Sequence, residues 1–93
     1  MTEMFSVWMD GLRDARAASR IAQRIVRLSH GLAGDVRPVG HGVLELRIDE
    51  GAGYRVHFVQ RGNALIVLLC GGDKSRQRRD IAVAQRLASE LEI

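Results

Sequence analysis

Apolar residues recur at helical spacing from Glu3 to Leu12, where Phe5, Trp8, Met9 and Leu12 fall on one face of a short amphipathic helix. A second helix is predicted from about Asp14 to Ser29, with Ala18, Ile21, Ile25 and Leu28 on its inner stripe and Gly31 as its stop. The two are expected to form an antiparallel hairpin. From His30 through Gly42 stand four glycines and the one proline, Pro38, so this stretch reads as a loop carrying Arg37 and His41.

The period then changes to two. Gly42 to Asp49 alternates, Leu44, Leu46 and Ile48 against Val43, Glu45 and Arg47, and Tyr54 to Gln60 alternates likewise, with Gly51 and Gly53 at the turn. Ala64 to Cys70 is apolar on both faces, which predicts a central strand covered on both sides and ended by Gly71 and Gly72. A last helix is expected from about Ser75 to Leu91, with Ile81, Ala84, Ala88 and Leu91 inward and Asp73 or Ser75 capping its start. The pattern is that of one α+β domain over residues 1–93: a helical hairpin on a small, mostly antiparallel sheet, then a C-terminal helix.

Ninety-three residues leave no room for a second fold or a large cofactor cradle, so a nucleotide-cofactor enzyme is not expected. The longest apolar run, Ala64 to Cys70, is too short to span a bilayer, and Met1 to Asp10 lacks the basic-then-apolar order of a signal peptide; the expected location is the cytoplasm. The single cysteine, Cys70, forms no internal disulfide and reads as a small core residue, with Trp8 as a core anchor. With His only at 30, 41 and 57, no zinc-ligand spacing is present, so neither a structural metal nor a cofactor is expected.

The net charge is +3, and thirteen of the fourteen basic residues are arginine. Arginine offers a planar fork of donors suited to phosphate, although GC-rich coding favours it equally. Arg13, Arg16, Arg20, Arg24 and Arg27 recur along one face of the second helix as a ridge, which reads either as an RNA or ribosome contact through Arg16 and Arg20 or as a solvated outer face.

The hairpin register that keeps Leu44, Leu46 and Ile48 with Phe58, Val56 and Tyr54 sets Arg47 opposite Arg55 and Glu45 opposite His57. Like charges directly across a ladder repel. A bound phosphate would relieve the conflict; the alternative is two arginines splayed apart in water. Glu45 and His57 fit a general base and acid for RNA cleavage through the 2′-hydroxyl, or a plain surface ion pair. Cys70 to Ser75 joins strand to helix with two glycines, Lys74, Arg76 and Arg78 close by, and reads as an anion-binding helix start or as an ordinary turn and cap; its glycine spacing is not that of a Walker loop.

Taken in order, Gly34-Asp35-Val36-Arg37-Pro38-Val39-Gly40, Gly42-Val43-Leu44-Glu45-Leu46-Arg47-Ile48, Gly53-Tyr54-Arg55-Val56 and Leu68-Leu69-Cys70-Gly71-Gly72-Asp73-Lys74-Ser75 resemble the HigB-like addiction module killer branch of the RelE/ParE toxin superfamily. The resemblance extends from about Phe5 to Ala84. It implies a RelE-like fold, messenger RNA cleavage on the translating ribosome and inhibition by a helix-turn-helix, HigA-like antitoxin; attack through the 2′-hydroxyl would leave a 2′,3′-cyclic phosphate. The resemblance places the active surface on Arg47, Arg55 and Lys74; the reading of the residues themselves sets Glu45 and His57 beside them and offers Arg37, Arg76, Arg16 and Arg20 as further RNA contacts.

The chain departs from that pattern in three places. Family members commonly carry an aromatic residue where His57 stands and a threonine where Arg76 stands, and Tyr54, in the hairpin, cannot take the role of the C-terminal tyrosine used by RelE. The fold also opens with a short strand before the first helix, whereas only Met1 to Met4 precede Phe5 here. A missing first strand would leave an exposed edge beside Ala64 to Cys70 and promote self-association. Two other readings stay open: a ParE-like inhibitor of DNA gyrase without catalysis, and a degenerate RNA-binding domain.

Overall fold

The computed structural model describes residues 1–62 and 65–91. In chain order the elements are α1 (Glu3–Asp10), α2 (Ala15–Ser29), β1 (Val36–Pro38), β2 (Leu44–Ile48), β3 (Tyr54–Arg61), β4 (Leu65–Asp73), a single 3-10 turn (Lys74–Arg76) and α3 (Gln77–Ser89). Thr2 caps α1 by accepting from the Phe5 N–H, and Asp14 caps α2 by accepting from Ala17 N–H at 3.1 Å. At the end of α2, Gly31 adopts φ +80 while its N–H donates to Leu28 O and that of Leu32 to Arg27 O, the paired bonds of a Schellman stop.

The four strands form an antiparallel meander in the order β1-β2-β3-β4. The expected hairpin register is the observed one: Leu44 faces Phe58, Glu45 faces His57, Leu46 faces Val56, Arg47 faces Arg55 and Ile48 faces Tyr54. Helices cover both faces. Phe5 of α1 and Ile21 and Leu28 of α2 pack with Leu46, Ile48, Val56 and Phe58 on one side, while Ala84 and Ala88 of α3 pack with Val43, Val59, Leu69 and Cys70 on the other. Alanines at both α3 contacts let the helix backbone lie close to the sheet.

Four expectations need correction. The segment after α2 is not all loop, because Val36–Pro38 pairs with β2 and places Arg37 opposite Glu45; proline is tolerated there because β1 is an edge strand. The apolar strand is not central either. β4 lies at the opposite edge, and it is apolar on both faces because α1 crosses one and α3 the other; Ala64, its expected first residue, lies outside the described residues. Gly71 and Gly72 do not end the strand but pair with Val56 and Arg55 inside it. Each supports a close approach: a Cβ on Gly71 would overlap the Trp8 ring, and one on Gly72 the Asp80 carboxylate. The inner stripe of α3 is also rotated, with Val83 and Leu87 beside Ala84, Ala88 and Leu91 rather than Ile81.

Along the outer edge of β4, Thr2 is the residue that pairs: its N–H donates to Leu68 O at 3.0 Å and its hydroxyl to Leu69 O. No helix among the described residues is long and apolar enough to cross a membrane.

Candidate functional site

The side of the sheet facing α3 is graded, and the grading follows from the register. Nearest the β2–β3 turn, Arg47, Arg55 and Gly72 lie in line across three strands; the next row is Glu45, His57 and Cys70. Beyond it the apolar core under α3 begins. Because α3 starts only at Gln77, it covers the second row and leaves the arginines at its rim.

Glu45 is the centre of this arrangement. It and His57 are both 0% exposed, so the pair is not a surface ion pair. His57 Nε2 donates to Glu45 Oε2 at 3.0 Å, Arg47 Nε donates to Oε1 at 3.1 Å, and the Gln77 amide donates to both oxygens at 3.0 Å each. Arg55 Nε lies 3.6 Å from the same Oε1. Burial pushes the Glu45 carboxyl up, but the hydrogen bonds from His57, Gln77 and Arg47 together outweigh it and hold the group below its ordinary value.

The Arg47–Arg55 conflict therefore has an internal solution: the anion between the guanidinium groups is Glu45 of the same hairpin. Splaying into water is not observed, since the side chains are only 31% and 17% exposed. Both arginines reach Glu45 through Nε, and Arg55 Nε is a buried side-chain nitrogen without a hydrogen-bond partner. Part of each arginine side chain remains exposed, so the donors not used on Glu45 are available to an anion from outside.

Lys74 is exposed just beyond β4; its N–H donates to Gly53 O at 2.9 Å, and its aliphatic stem lies against Gly53 at the end of the β2–β3 turn. It thus stands at the arginine end of the sheet. Of the two readings of Cys70 to Ser75, the turn and cap is the one the geometry matches. Asp73 is the cap, accepting from the Ser75 N–H and hydroxyl, and these bonds, led by the hydroxyl, hold its carboxyl below the usual range.

Cys70 is buried, its Sγ 3.8 Å from His57 Nδ1 and 3.5 Å from Asp80 O. Burial, with a further push from the Asp80 charge, raises the thiol to about 12, so it remains protonated and unreactive near neutrality. Trp8 is only partly buried, lying over Gly71 beside Phe5 and Tyr54 at the mouth of a cleft of about 450 Å³ that Arg76 and Asp80 also line. Burial likewise raises the Asp80 carboxyl, against the opposing pull of Arg76.

The ridge on α2 is not uniform. Arg24 turns inward, donating to Arg47 O at 2.8 Å and Ala33 O at 3.3 Å, and so ties α2 to β2. Arg16 is exposed and pairs with Glu50 at 3.2 Å, and Arg20 shares a groove with that acid and Asp49. Acids of the β2–β3 turn thus flank the ridge. Arg37 is exposed, 3.6 Å from Asp35, at the β1 edge. Sequence reasoning missed Gln77, Asp80 and the inward turn of Arg24; Gln77 reaches Glu45 across 32 positions, and no local pattern marks such a contact.

Fold and site together define a small α+β domain whose four-stranded antiparallel meander carries a buried carboxylate clamped by two arginines. The family match extends over residues 8–89, and the chain belongs to the phage-derived Gp49-like family (DUF891). An uncharacterized protein of Haemophilus influenzae (strain ATCC 51907 / DSM 11121 / KW20 / Rd) is 49% identical over 90 residues, covering 97% of this chain and 91% of the relative. No solved structure matches.

Proposed function

We propose that this chain is the toxin of a type II toxin-antitoxin pair, HigB-like in descent and RelE-like in fold, that cleaves messenger RNA on the ribosome in the cytoplasm without a metal or cofactor. The observation that carries the proposal is the Arg47–Arg55 pair, preorganised by Glu45 at the rim of α3 with Lys74 at the same end of the sheet. The fold reading is supported by α1 and α2, which are joined by a short connection and pack on one face of the sheet as a hairpin would. A helix-turn-helix, HigA-like antitoxin is the partner that this reading requires.

In the proposed reaction solvent water takes the 2′-hydroxyl proton as the 2′-oxygen attacks the adjacent phosphorus, and water supplies the proton with which the 5′-oxygen leaves, giving a 2′,3′-cyclic phosphate. Arg47 holds the scissile phosphate. Arg55 and Lys74 stabilise the charge that grows on the phosphorane, which fixed donors do with little reorganisation. Glu45 and His57 lie beneath the arginines with no exposure, so direct proton transfer to RNA would require the start of α3 to move; their proposed task is to place the arginines. Arg37, Arg76, Arg16 and Arg20 contribute phosphate contacts around that centre.

A translation extract supplied with the purified chain tests this. Cleavage of messenger RNA that is lost in Arg55→Ala and Lys74→Ala proteins of intact fold supports the proposal. Uncut transcripts together with loss of plasmid supercoiling would replace it with gyrase inhibition, and binding to RNA without either effect would leave a degenerate RNA-binding domain.

A further inference from the structure

Gln77 opens α3, and its side-chain amide spans both oxygens of the buried Glu45 carboxylate. Resting on the reading of Arg47 and Arg55 as a phosphate-binding surface, we infer that Gln77 is a positioning residue: it fixes the orientation of the Glu45 carboxylate and, through it, the placement of both guanidinium groups. Arg47 and Arg55 touch the RNA; Gln77 acts only through Glu45.

The geometry gives the amide a distinct task. A buried carboxylate has about four acceptor positions, and the orientation of its plane depends on which are filled. His57 takes Oε2 from β3 and Arg47 takes Oε1 from β2, the strand that carries Glu45 itself, so both hold the carboxylate from within the sheet. Gln77 approaches from the opposite layer and bridges the two oxygens, locking rotation about the last side-chain bond. A charged donor at position 77 would add a further positive charge to a cluster that already holds Arg47, Arg55 and, across from Glu45 on β1, Arg37. A carboxylate there would lie within about hydrogen-bond distance of Glu45, and one of the two would have to take a proton. A neutral amide with two N–H groups fits the position without either cost.

The test uses the full-length chain, labelled with nitrogen-15, and reads the Arg47 and Arg55 Nε–H resonances together with affinity for a short fluorescent single-stranded RNA. Gln77→Met, close to isosteric, should shift the Arg47 Nε–H signal, speed its exchange with water and weaken RNA binding about tenfold, the order expected for loss of hydrogen bonds to a charged group. Gln77→Glu should be weaker still near neutrality and recover as pH falls, because protonation of one member of the new pair relieves the repulsion; His57, Arg47, Arg55, Arg37 and, on the α3 side, Asp80 and Arg76 are the charged or titratable groups whose variation the unsubstituted chain controls for. Glu45→Gln combined with Gln77→Glu, which restores one acid and one amide, should regain most of the affinity. Should the Arg47 signal and the RNA affinity of a folded Gln77→Met chain match those of the unsubstituted chain, the inference is overturned. A shifted signal with unchanged affinity overturns it as well, since the arginines would then need no placing. If the Met variant does not fold, failure of the exchanged pair to restore affinity has the same force. An unsubstituted chain that binds RNA no better than its Arg55→Ala variant would overturn the phosphate-binding reading itself, and this inference with it.

Discussion

Across the β2–β3 ladder, His57 Nε2 donates to Glu45 Oε2 at 3.0 Å with both side chains wholly removed from solvent. The pair anchors the carboxylate whose other oxygen lies 3.1 Å from Arg47 and 3.6 Å from Arg55. A repulsion between two arginines at the rim is thereby balanced from beneath, by a residue with no exposure to solvent.

This arrangement couples folding to pH. Glu45 is held below its ordinary pKa of 4.5, so its contribution to stability is fully present above that value and is lost as pH falls through the lower folded value. Glu45→Ala should cost about 3–5 kcal/mol near neutrality, because it leaves two arginines facing each other and strands the His57 and Gln77 donors. Urea denaturation followed over a range of pH should show the two proteins converging in stability under acid. A constant gap down to strongly acidic pH would show that Glu45 acts through packing rather than charge.

Gly71 tests the contact between α1 and the edge strand. Gly71→Ala should destabilise the chain by roughly 1–3 kcal/mol, because the added methyl meets the Trp8 ring and overpacking of this kind forces neighbours to shift. Trp8→Ala removes the obstacle, so the double variant should be less destabilised than the sum of the single changes. Simple additivity in thermal denaturation would mean that Trp8 yields without cost.

The arginines of α2 should separate by role. Arg24→Ala is expected to lose about 1.5–3 kcal/mol, since a charged donor leaves two main-chain carbonyls, whereas Arg20→Ala should stay within about 0.5 kcal/mol, as exposed positions usually do. RNA affinity should follow the other order. Reversing Arg16 and Arg20 to Glu should flatten the salt dependence of binding, each lost contact to a single strand changing the log-log slope by about 0.7. An unaltered slope would identify the ridge as a solvated face.

Within the proposed site, the cations should differ in kinetics. Arg55→Ala and Lys74→Ala should lower the cleavage rate by roughly 10² to 10³ at saturating ribosome, the usual effect of removing a donor aimed at developing charge. Arg47→Ala should act mainly on binding and be partly rescued by more protein. Equal losses in kcat for all three, with binding unchanged, would contradict this division.

The sequence alone determined whatever its local periods encode. The hairpin register followed from period-two alternation, because a slip by one residue would have turned Leu44, Leu46 and Ile48 away from the core, and the neighbours Arg47–Arg55 and Glu45–His57 followed from it. The stop at Gly31 was equally local, and so was the cap at Asp73, although it closes the 3-10 turn that precedes α3 rather than α3 itself. Tertiary structure decided the rest, since a period does not say which element covers a face. The apolar character of β4 recorded two covered faces, and these belong to an edge strand because α1 and α3 sandwich it. Burial of Glu45 and His57 depended on where α3 begins, which also brought Gln77 to the carboxylate from 32 positions away. Arg24, one of five arginines on a regular face, turned inward to the Arg47 and Ala33 carbonyls, and that was settled by how α2 packs against β2.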